Sequence, residues 1–231
     1  MQAYYHDRLI LQVDTVHLSP MDPIAIAQIF ILIFSVVLHE MAHGYAANWL
    51  GDPTARLAGR LTANPIPHLD PMMSVILPGL LLVTGSPILF GAAKPVPYNP
   101  YNFNKFQKWG EALVAFAGPA ANIALALIFA VLIRLADVLS LSQSFVQIAF
   151  TVVILNIFLA FFNLVPIPPL DGSKILPRLL PRGLAMQYER FRMFFEQNIA
   201  LGFALVLFVF IFFLSRPLYL LTIWIASNLV G

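Results

Sequence analysis

The chain has 231 residues, of which 60% are apolar and only 10% are charged, and its formal net charge is +2. An ordinary soluble domain has about 25% charged residues, so these charges are too few to cover a soluble globular surface. Disorder is also excluded, because disordered chains combine low hydrophobicity with high charge. The absence of cysteine excludes disulfides, thiolate metal ligands and a cysteine nucleophile. We therefore expect an integral membrane protein with one hydrophobic body. No basic stripe with interleaved aromatic residues points to nucleic acid.

The apolar segments indicate a helical bundle. A spanning helix needs about 20 mostly apolar residues, and long uncharged runs cover residues 71–93, 112–133, 138–170 and 197–215. Another apolar run begins at Pro23 and keeps a helical pattern through Leu50, where Gly51-Asp52-Pro53 ends it. We expect an all-α membrane protein: a polytopic helical bundle with about four spanning helices, one re-entrant apolar segment and short extended loops.

The flanking segments define the expected domains. Residues 1–22 form a polar N-terminal tail whose single arginine, Arg8, does not make the basic region of a cleavable signal peptide. Residues 23–215 are expected to form one membrane-embedded domain. Because Arg216-Pro217 breaks the apolar pattern, we expect residues 216–231 to be a C-terminal segment that is too short to span and lies in the membrane interface.

Two loops and one amphipathic stretch lie between the apolar runs. Residues 54–68 read TARLAGRLTANPIPH and residues 91–100 read GAAKPVPYNP. The closely spaced prolines of the second loop exclude a helix and are typical of an extended or edge-strand chain. Residues 173–198 mix apolar and basic side chains, which is typical of an amphipathic segment at the membrane interface.

A metal-binding pattern lies inside the first apolar run. His39-Glu40-Met41-Ala42-His43 is an H-E-x-x-H motif. The spacing of four residues puts both imidazoles on one face of a helix, where one divalent metal can bridge them beside a glutamate that acts as general base. A charged residue inside a spanning helix costs about 2.5 kcal/mol or more and is usually functional. A pair of histidines that only packs in the core is therefore the weaker interpretation.

Asp171 is the best candidate for a third ligand, since catalytic zinc sites take three protein ligands and a water. It follows a long uncharged run within Asn163-Leu-Val-Pro-Ile-Pro-Pro-Leu-Asp-Gly172. The three prolines end the helix and Gly172 permits a sharp turn of the backbone. A carboxylate is thereby placed at membrane depth on unwound chain, which is tolerated only where a protein-lined cavity surrounds it.

These motifs resemble the site-2 protease family of intramembrane zinc metalloproteases. H-E-x-x-H in an early span is followed by Ala117-Gly-Pro-Ala-Ala-Asn122 in a middle span and by N-x-x-P-x-x-x-L-D-G in a later one. The loops GRLTANPIPHLDP and GAAKPVPYNP are similar to those of the small prokaryotic members without a PDZ domain. The resemblance covers roughly residues 24–180.

The resemblance implies a role for each matching residue. His39, His43 and Asp171 would bind one zinc ion per chain, and Glu40 would be the catalytic base. Asn163 and Asn122 match family positions that face the active site, which makes them candidates for substrate binding. For Asn122, an interhelical hydrogen bond is an equally good interpretation.

The ligand positions constrain the topology. Ligands at one depth require the helix of His39 and the helix that precedes Asp171 to run in the same direction, so a single helix returns between them. The run 112–133 is the cleaner helix, whereas 71–93 is interrupted by Pro78, Gly79 and Pro87, so we assign 71–93 as re-entrant. One side of the membrane then holds Arg56, Arg60, Lys94, Lys105, Lys108, Lys174, Arg178, Arg182, Arg190 and Arg192. The positive-inside rule makes that side the cytoplasm, with the active site of a multi-pass cell-membrane protein near it.

The leading hypothesis is a zinc endopeptidase that cuts the transmembrane segments of other membrane proteins within the lipid bilayer. The alternative from another class is a metal transporter or metal sensor without hydrolytic activity. Transporters more often show repeated halves, and no internal repeat is found here. A third interpretation is an inactive homologue that serves as a scaffold, which the intact Glu40 argues against.

Overall fold

The structure is a computed structural model that describes residues 23–70 and 93–231. Within these ranges the chain is mainly helical and contains no β-strand, which confirms the predicted all-α fold. The helices are α1 (Pro23–Leu50), α2 (Thr54–Leu57), α3 (Gly110–Arg134), α4 (Gln143–Leu164), α5 (Gly172–Leu179), α6 (Arg182–Gln197), α7 (Ile199–Val209) and α8 (Ser215–Val230). Single 3₁₀ turns cover Ile66–His68 and Pro100–Asn102, and a π-helical turn, Phe210–Leu214, joins α7 to α8.

Four helical runs are long and apolar enough to cross a membrane: residues 27–50, 110–134, 143–164 and 199–230. The number agrees with the prediction of about four spanning helices. The chain is a membrane protein whose helices pack with small side chains at their contacts. Ala126 and Ala130 of α3 meet Val153 and Ile157 of α4 and Ala226 of α8 in one buried cluster. In lipid the hydrophobic effect does not drive helices together, so association depends on close packing, and small residues let the helix backbones approach.

Helix α3 lies between α1 and α4 and runs antiparallel to α1. His39 of α1 contacts Asn122 of α3, and His43, one turn later, contacts Val114, two turns earlier in α3. The end of α1 and the loop before α3 also meet directly, because the amide of Asn104 donates to the carbonyl of Leu50 at 2.9 Å. The metal motif therefore faces the N-terminal half of α3.

The C-terminal run extends further than the sequence pattern indicates. Residues 199–230 form one helical run of 32 residues, about 48 Å at 1.5 Å per residue. Pro217 is the third residue of α8, directly after the π-helical turn, so the hydrogen-bonding pattern of the run changes just before the proline, which has no N–H to donate to the preceding turn. The interfacial location of residues 216–231 and the domain boundary at 215 stay predictions.

The loops around the metal motif only partly follow the expected pattern. Residues 93–99 have no regular secondary structure, as their prolines indicate, whereas residues 54–57 form a short helix. The amphipathic stretch 173–198 folds as α5 and α6. The re-entrant segment predicted at 71–93 lies outside the described residues, apart from its last residue.

Candidate metal centre

Three potential ligands from two distant parts of the chain meet inside the bundle. The Nε2 atoms of His39 and His43 lie 3.0 Å apart, and Oδ2 of Asp171 lies 3.1 Å from the first and 3.3 Å from the second. All three residues are buried. Among the described residues, these three side chains form a group whose potential ligand atoms lie close enough together to hold one metal ion.

The proline-rich turn after α4 delivers Asp171 to this place. Leu170 closes a turn onto Ile167 with a 2.8 Å backbone hydrogen bond, and the hydroxyl of Ser173 donates to the carbonyl of Leu170 at 2.6 Å. Gly172 sits against the carbonyl of Leu164 so closely that no Cβ fits there. The glycine that was expected to permit a sharp turn is therefore needed because two backbone segments pack closely at this point.

The spacing of the ligand atoms fits zinc. Tetrahedral coordination with bonds of about 2.0–2.1 Å places neighbouring ligand atoms about 3.3 Å apart, close to the three distances observed. An ideal Cβ on Gly118 would lie 2.5 Å from Nε2 of both His39 and His43. Glycine at this position leaves open a volume in front of both nitrogens that any other side chain would fill.

The hydrogen bonds behind the histidines orient both rings toward that volume. Nδ1 of His39 lies 2.6 Å from Oδ1 of Asn122, and Nδ1 of His43 lies 2.7 Å from the carbonyl oxygen of Val114. Both partners are oxygen acceptors, so each Nδ1 carries the proton and each Nε2 has a free lone pair. Zinc ligands need this tautomer, and such outer hydrogen bonds also raise the basicity of the ring.

A buried polar network fixes the amide of Asn122. Its Nδ2 donates to Oδ1 of Asn156 at 2.8 Å, which turns its Oδ1 toward His39. Asn156 of α4 donates in turn to the hydroxyl of Ser35 at 2.9 Å. Asn122 is 1% exposed, and the structure thus shows the interhelical hydrogen bond that was one of its two interpretations. The network joins α1, α3 and α4 directly behind the candidate metal ligands.

Glu40 lies beside the histidines and is held from the opposite side. Its Oε2 accepts a 2.8 Å hydrogen bond from the amide of Val96 in the extended segment. No described residue is seen to donate to its second oxygen. Glu40, the three potential ligands and Asn163 line one cavity of about 610 Å³. Asn163 donates its own amide to the carbonyl of Leu159 at 2.9 Å, and the substrate-binding roles of Asn163 and Asn122 stay predictions.

Two anchors hold the segment that carries Val96. The carbonyl of His68 accepts the amide of Lys94 at 2.8 Å, and the guanidinium of Arg60 donates to the carbonyl of Lys94. His68 itself is buried, and its Nε2 pairs with the carbonyl of Thr62 at 2.9 Å. This histidine therefore positions the loop and does not belong to the metal centre.

Asp52 anchors the far end of the same segment. The buried carboxylate accepts hydrogen bonds from the amide of Asn99 at 2.7 Å and from Nδ2 of Asn102 at 2.7 Å. Thr54 donates both its hydroxyl and its amide to Oδ1. Burial alone would raise the pKa of Asp52, but these donors outweigh it and keep the pKa below its ordinary value. The ionised form of Asp52 thus holds the extended segment against the end of α1.

A network of charged side chains forms another wall of the cavity. Glu111, in the first turn of α3, pairs with Arg192 of α6 at 2.7 Å and with Arg178 of α5 at 3.3 Å. Arg192 also pairs with Glu189 at 2.8 Å and with Glu196 at 3.5 Å. These pairs fix the two amphipathic helices onto the bundle at the level of the metal ligands.

The comparisons with known proteins agree with this site. The family model of peptidase family M50 matches residues 27–140 and 131–211. The chain belongs to peptidase family M50. It is 42% identical over 159 residues to the "Putative zinc metalloprotease YwhC" of Bacillus subtilis, covering 66% of this chain and 68% of that protein. It is 33% identical over 197 residues to the "Putative zinc metalloprotease Rip2" of Mycobacterium tuberculosis, covering 81% of this chain and 70% of that protein. No solved structure gives a significant match.

Membership of the M50 family confirms the resemblance to the site-2 proteases and the prediction of a zinc metalloprotease. It also agrees with the embedding of the chain in a lipid bilayer, which the four apolar helices indicate. The sequence did not single out Val96, Asn156 or Ser35 among the residues that orient the site. Asn156 and Ser35 carried a signal that could have been used, because polar side chains within apolar spans usually hydrogen-bond across helices. The amide of Val96 carried no such signal.

Proposed function

We propose that this M50 peptidase is an intramembrane endopeptidase that cuts the transmembrane segments of other membrane proteins. The observation that carries the proposal is the group His39, His43 and Asp171 inside a bundle of apolar helices, with Glu40 beside it on the same cavity wall. His39, His43 and Asp171 are the zinc ligands, and Glu40 is the general base.

The protein groups have separate tasks in the reaction. Zinc, when bound, acts as a Lewis acid that polarises a carbonyl and brings the pKa of a coordinated water to about 7. Asn122 and the Val114 carbonyl keep both imidazoles in the tautomer that binds metal. Glu40 accepts a proton from the attacking water on Oε1, the oxygen that is not bonded to the Val96 amide. It then passes this proton to the nitrogen of the leaving amine.

The substrate must change conformation before it is cut. A transmembrane helix hides its peptide bonds in its own hydrogen bonds, so it has to unwind locally, and its freed backbone groups then need partners. The segment 93–98 lies along the cavity without regular secondary structure, the loop 58–65 contacts it through Arg60, and strand addition to the segment 93–98 would supply those partners. Within this segment Val96 lies next to the proposed base, because its amide donates a hydrogen bond to Glu40.

The location that we propose is the cell membrane, with the active site near the cytoplasmic face. The end of α1 meets the loop before α3 through Leu50 and Asn104, and His68 meets Lys94. The chain thus leaves and re-enters the described region on one side, which supports the proposal that residues 71–93 do not cross. With this topology, ten of the 13 basic residues share that side, and the positive-inside rule makes it cytoplasmic.

The proposal is tested by zinc analysis and proteolysis on the same purified samples. Wild type should carry one zinc per chain and cleave a reconstituted single-span substrate. Glu40→Gln keeps size and hydrogen bonding without basicity, so it should retain zinc and lose nearly all cleavage. His43→Ala and Asp171→Ala should lose zinc, because two remaining ligands bind it weakly. Asp137→Asn, far from the site, is the matched control. Wild-type turnover in Glu40→Gln would overturn the proposed role of the base.

A further inference from the structure

Lys174 is a charged residue of the cavity that the proposed mechanism does not use. It is the third residue of α5 and lies three positions after Asp171, so both side chains point to the same face of the helix. Both line the cavity that holds His39, His43 and Glu40. Arg178 follows on the same face, where it pairs with Glu111. Lys174 therefore stands between the candidate metal ligands and the charged network.

The ammonium of Lys174 forms no ion pair within 4 Å among the described residues. The carboxylates of Asp171, Glu196 and Glu111 attract it at longer range, but Arg178 and Arg192 take both oxygens of Glu111, and Glu196 pairs with Arg192. Its defined contact is the face of the Tyr98 ring, with the nitrogen 5.6 Å from the ring centre. Burial raises the pKa of the Tyr98 phenol, so Tyr98 is neutral at physiological pH and cannot neutralise the lysine.

An ammonium without an ion-pair partner beside a low-dielectric cavity costs free energy unless a ligand supplies the partner. Charged groups at membrane depth normally pair with each other or with backbone carbonyls, and those that do not are usually functional. A lysine offers three donors and no acceptor. The missing partner is therefore an acceptor, and an anionic one gives the strongest hydrogen bond.

We propose that Lys174 binds the carboxylate of the product fragment whose new C-terminus is formed at the metal centre. This inference rests on the proposed function, because peptide hydrolysis is what creates a carboxylate there. Hydrolysis breaks the C–N bond and leaves the carbonyl carbon with its own oxygen and the oxygen of the attacking water, next to the metal ligands. Lys174 lies one helical turn from Asp171 on the same wall of the cavity. The lysine holds the product until the fragment leaves, and the uncut substrate offers it only a neutral carbonyl.

The test uses defined peptides, so it does not require knowledge of the natural substrate. The peptide acetyl-Leu-Ala-Leu-Ala is prepared with a free C-terminal carboxylate and as the C-terminal amide. Binding of both is measured in detergent to zinc-loaded Glu40→Gln protein, which carries the further substitution Lys174→Met, Lys174→Gln, Lys174→Arg or, as a control outside the cavity, Lys108→Met. A third peptide, acetyl-Leu-Ala-Glu-Ala amide, carries its carboxylate on a side chain.

We expect Lys174→Met and Lys174→Gln to weaken binding of the carboxylate peptide by about tenfold or more, the value of a charge-assisted hydrogen bond. Binding of the amide peptide should not change. Lys174→Arg and Lys108→Met should keep the preference for carboxylate. If Lys174→Met does not fold, Lys174→Gln decides the matter alone.

Three outcomes overturn the inference: no carboxylate preference in the parent protein, an undiminished preference in either neutral variant that folds, or a lysine-dependent preference for the side-chain carboxylate instead. Failure of the proposed function is separate and visible in another assay, because protein with intact Glu40 would then not cleave a membrane substrate whatever the peptides do.

Discussion

The amide of Val96 donates a 2.8 Å hydrogen bond to Oε2 of Glu40, joining the extended segment to the H-E-x-x-H helix across 56 residues of sequence. The bond selects one rotamer of the glutamate and reserves one of its two oxygens. The second oxygen remains for the proton transfers. The segment that we propose as a partner for the substrate backbone thus also orients the proposed general base.

The contribution of this hydrogen bond can be isolated with one substitution. Val96→Pro removes the N–H, and we expect proteolysis to fall by tenfold or more, because a misoriented base loses part of the roughly 10²–10⁴-fold contribution of general-base catalysis. Zinc content should not change, since no metal ligand is altered. Val96→Ala keeps the donor and is the matched control. Equal cleavage rates in the two variants would show that the bond does not orient Glu40.

Gly118 provides a test of whether a metal occupies the space in front of the two histidine nitrogens. In Gly118→Ala the new Cβ would stand 2.5 Å from Nε2 of both histidines, so we expect zinc content well below one per chain and a corresponding loss of activity. Gly183→Ala is the control, because a Cβ there meets nothing within 4 Å. Inductively coupled plasma analysis of both proteins gives the answer. A full zinc complement in Gly118→Ala would place the metal elsewhere.

The two asparagines that the sequence grouped together should respond differently. Asn122→Ala removes the oxygen that fixes the ring of His39, and loss of such outer partners typically weakens metal binding by about 10–100-fold. Asn163→Ala touches neither histidine and should keep zinc. Competition with a zinc chelator measures both affinities. If Asn163 contacts the substrate, its variant should raise KM, and equal zinc affinities in the two variants would contradict the role assigned to Asn122.

Asp52→Asn should reduce stability in a pH-dependent manner. The amide cannot accept from the donors of Thr54, Asn99 and Asn102 as the carboxylate does, and losing a charge-assisted hydrogen bond costs about 1.5–3 kcal/mol. Because the folded pKa of Asp52 lies below its unfolded value, its stabilisation is present above an ordinary pKa of about 3.9 and is lost as pH falls through the folded pKa. Thermal unfolding in detergent should therefore separate the two proteins at pH 7, and the gap should narrow in strong acid. A gap that stays constant with pH would exclude the charge as the cause.

The topology predicts which positions share a side of the membrane. Cysteines introduced at Arg56, Lys105 and Arg190 in this cysteine-free chain should react with an impermeant maleimide from the cytoplasm, and a cysteine at Asp137 only from outside. The first two positions flank the contact between Leu50 and Asn104, and Arg190 lies on α6, which is tied to α3 through Glu111. Labelling of positions 56 and 105 from opposite sides would rule out the re-entrant assignment.

The sequence was sufficient to single out the three potential ligands that the structure brings together, because residue types at fixed spacing indicate them. His39 and His43 share a helical face by their separation alone, and Asp171 stands out as a carboxylate after three prolines in an apolar region. The spans followed from length and composition in the same way. The C-terminal run was harder, since Arg216-Pro217 is typical of a helix end unless a local change of hydrogen bonding precedes it.

Contacts that depend on the backbone could not be predicted. The acceptor for His43 is the carbonyl of Val114, and the donor to Glu40 is the amide of Val96, groups that every residue other than proline possesses. The tertiary arrangement alone decides which of them is used. The lack of a close ion pair at Lys174 is similar, because it became visible only when Arg178 and Arg192 were seen to occupy both oxygens of Glu111.

The distance between His39 and Asp171 along the chain, 132 residues, has a consequence for biosynthesis. A ribosome that adds about 5–20 residues per second needs several seconds to proceed from the first potential ligand to the last. During that interval α1 is already made, yet its histidines have no carboxylate partner. If Asp171 is a zinc ligand, the site cannot be completed until three of the four apolar runs have been synthesised, and the order of the motifs delays protease activity until then.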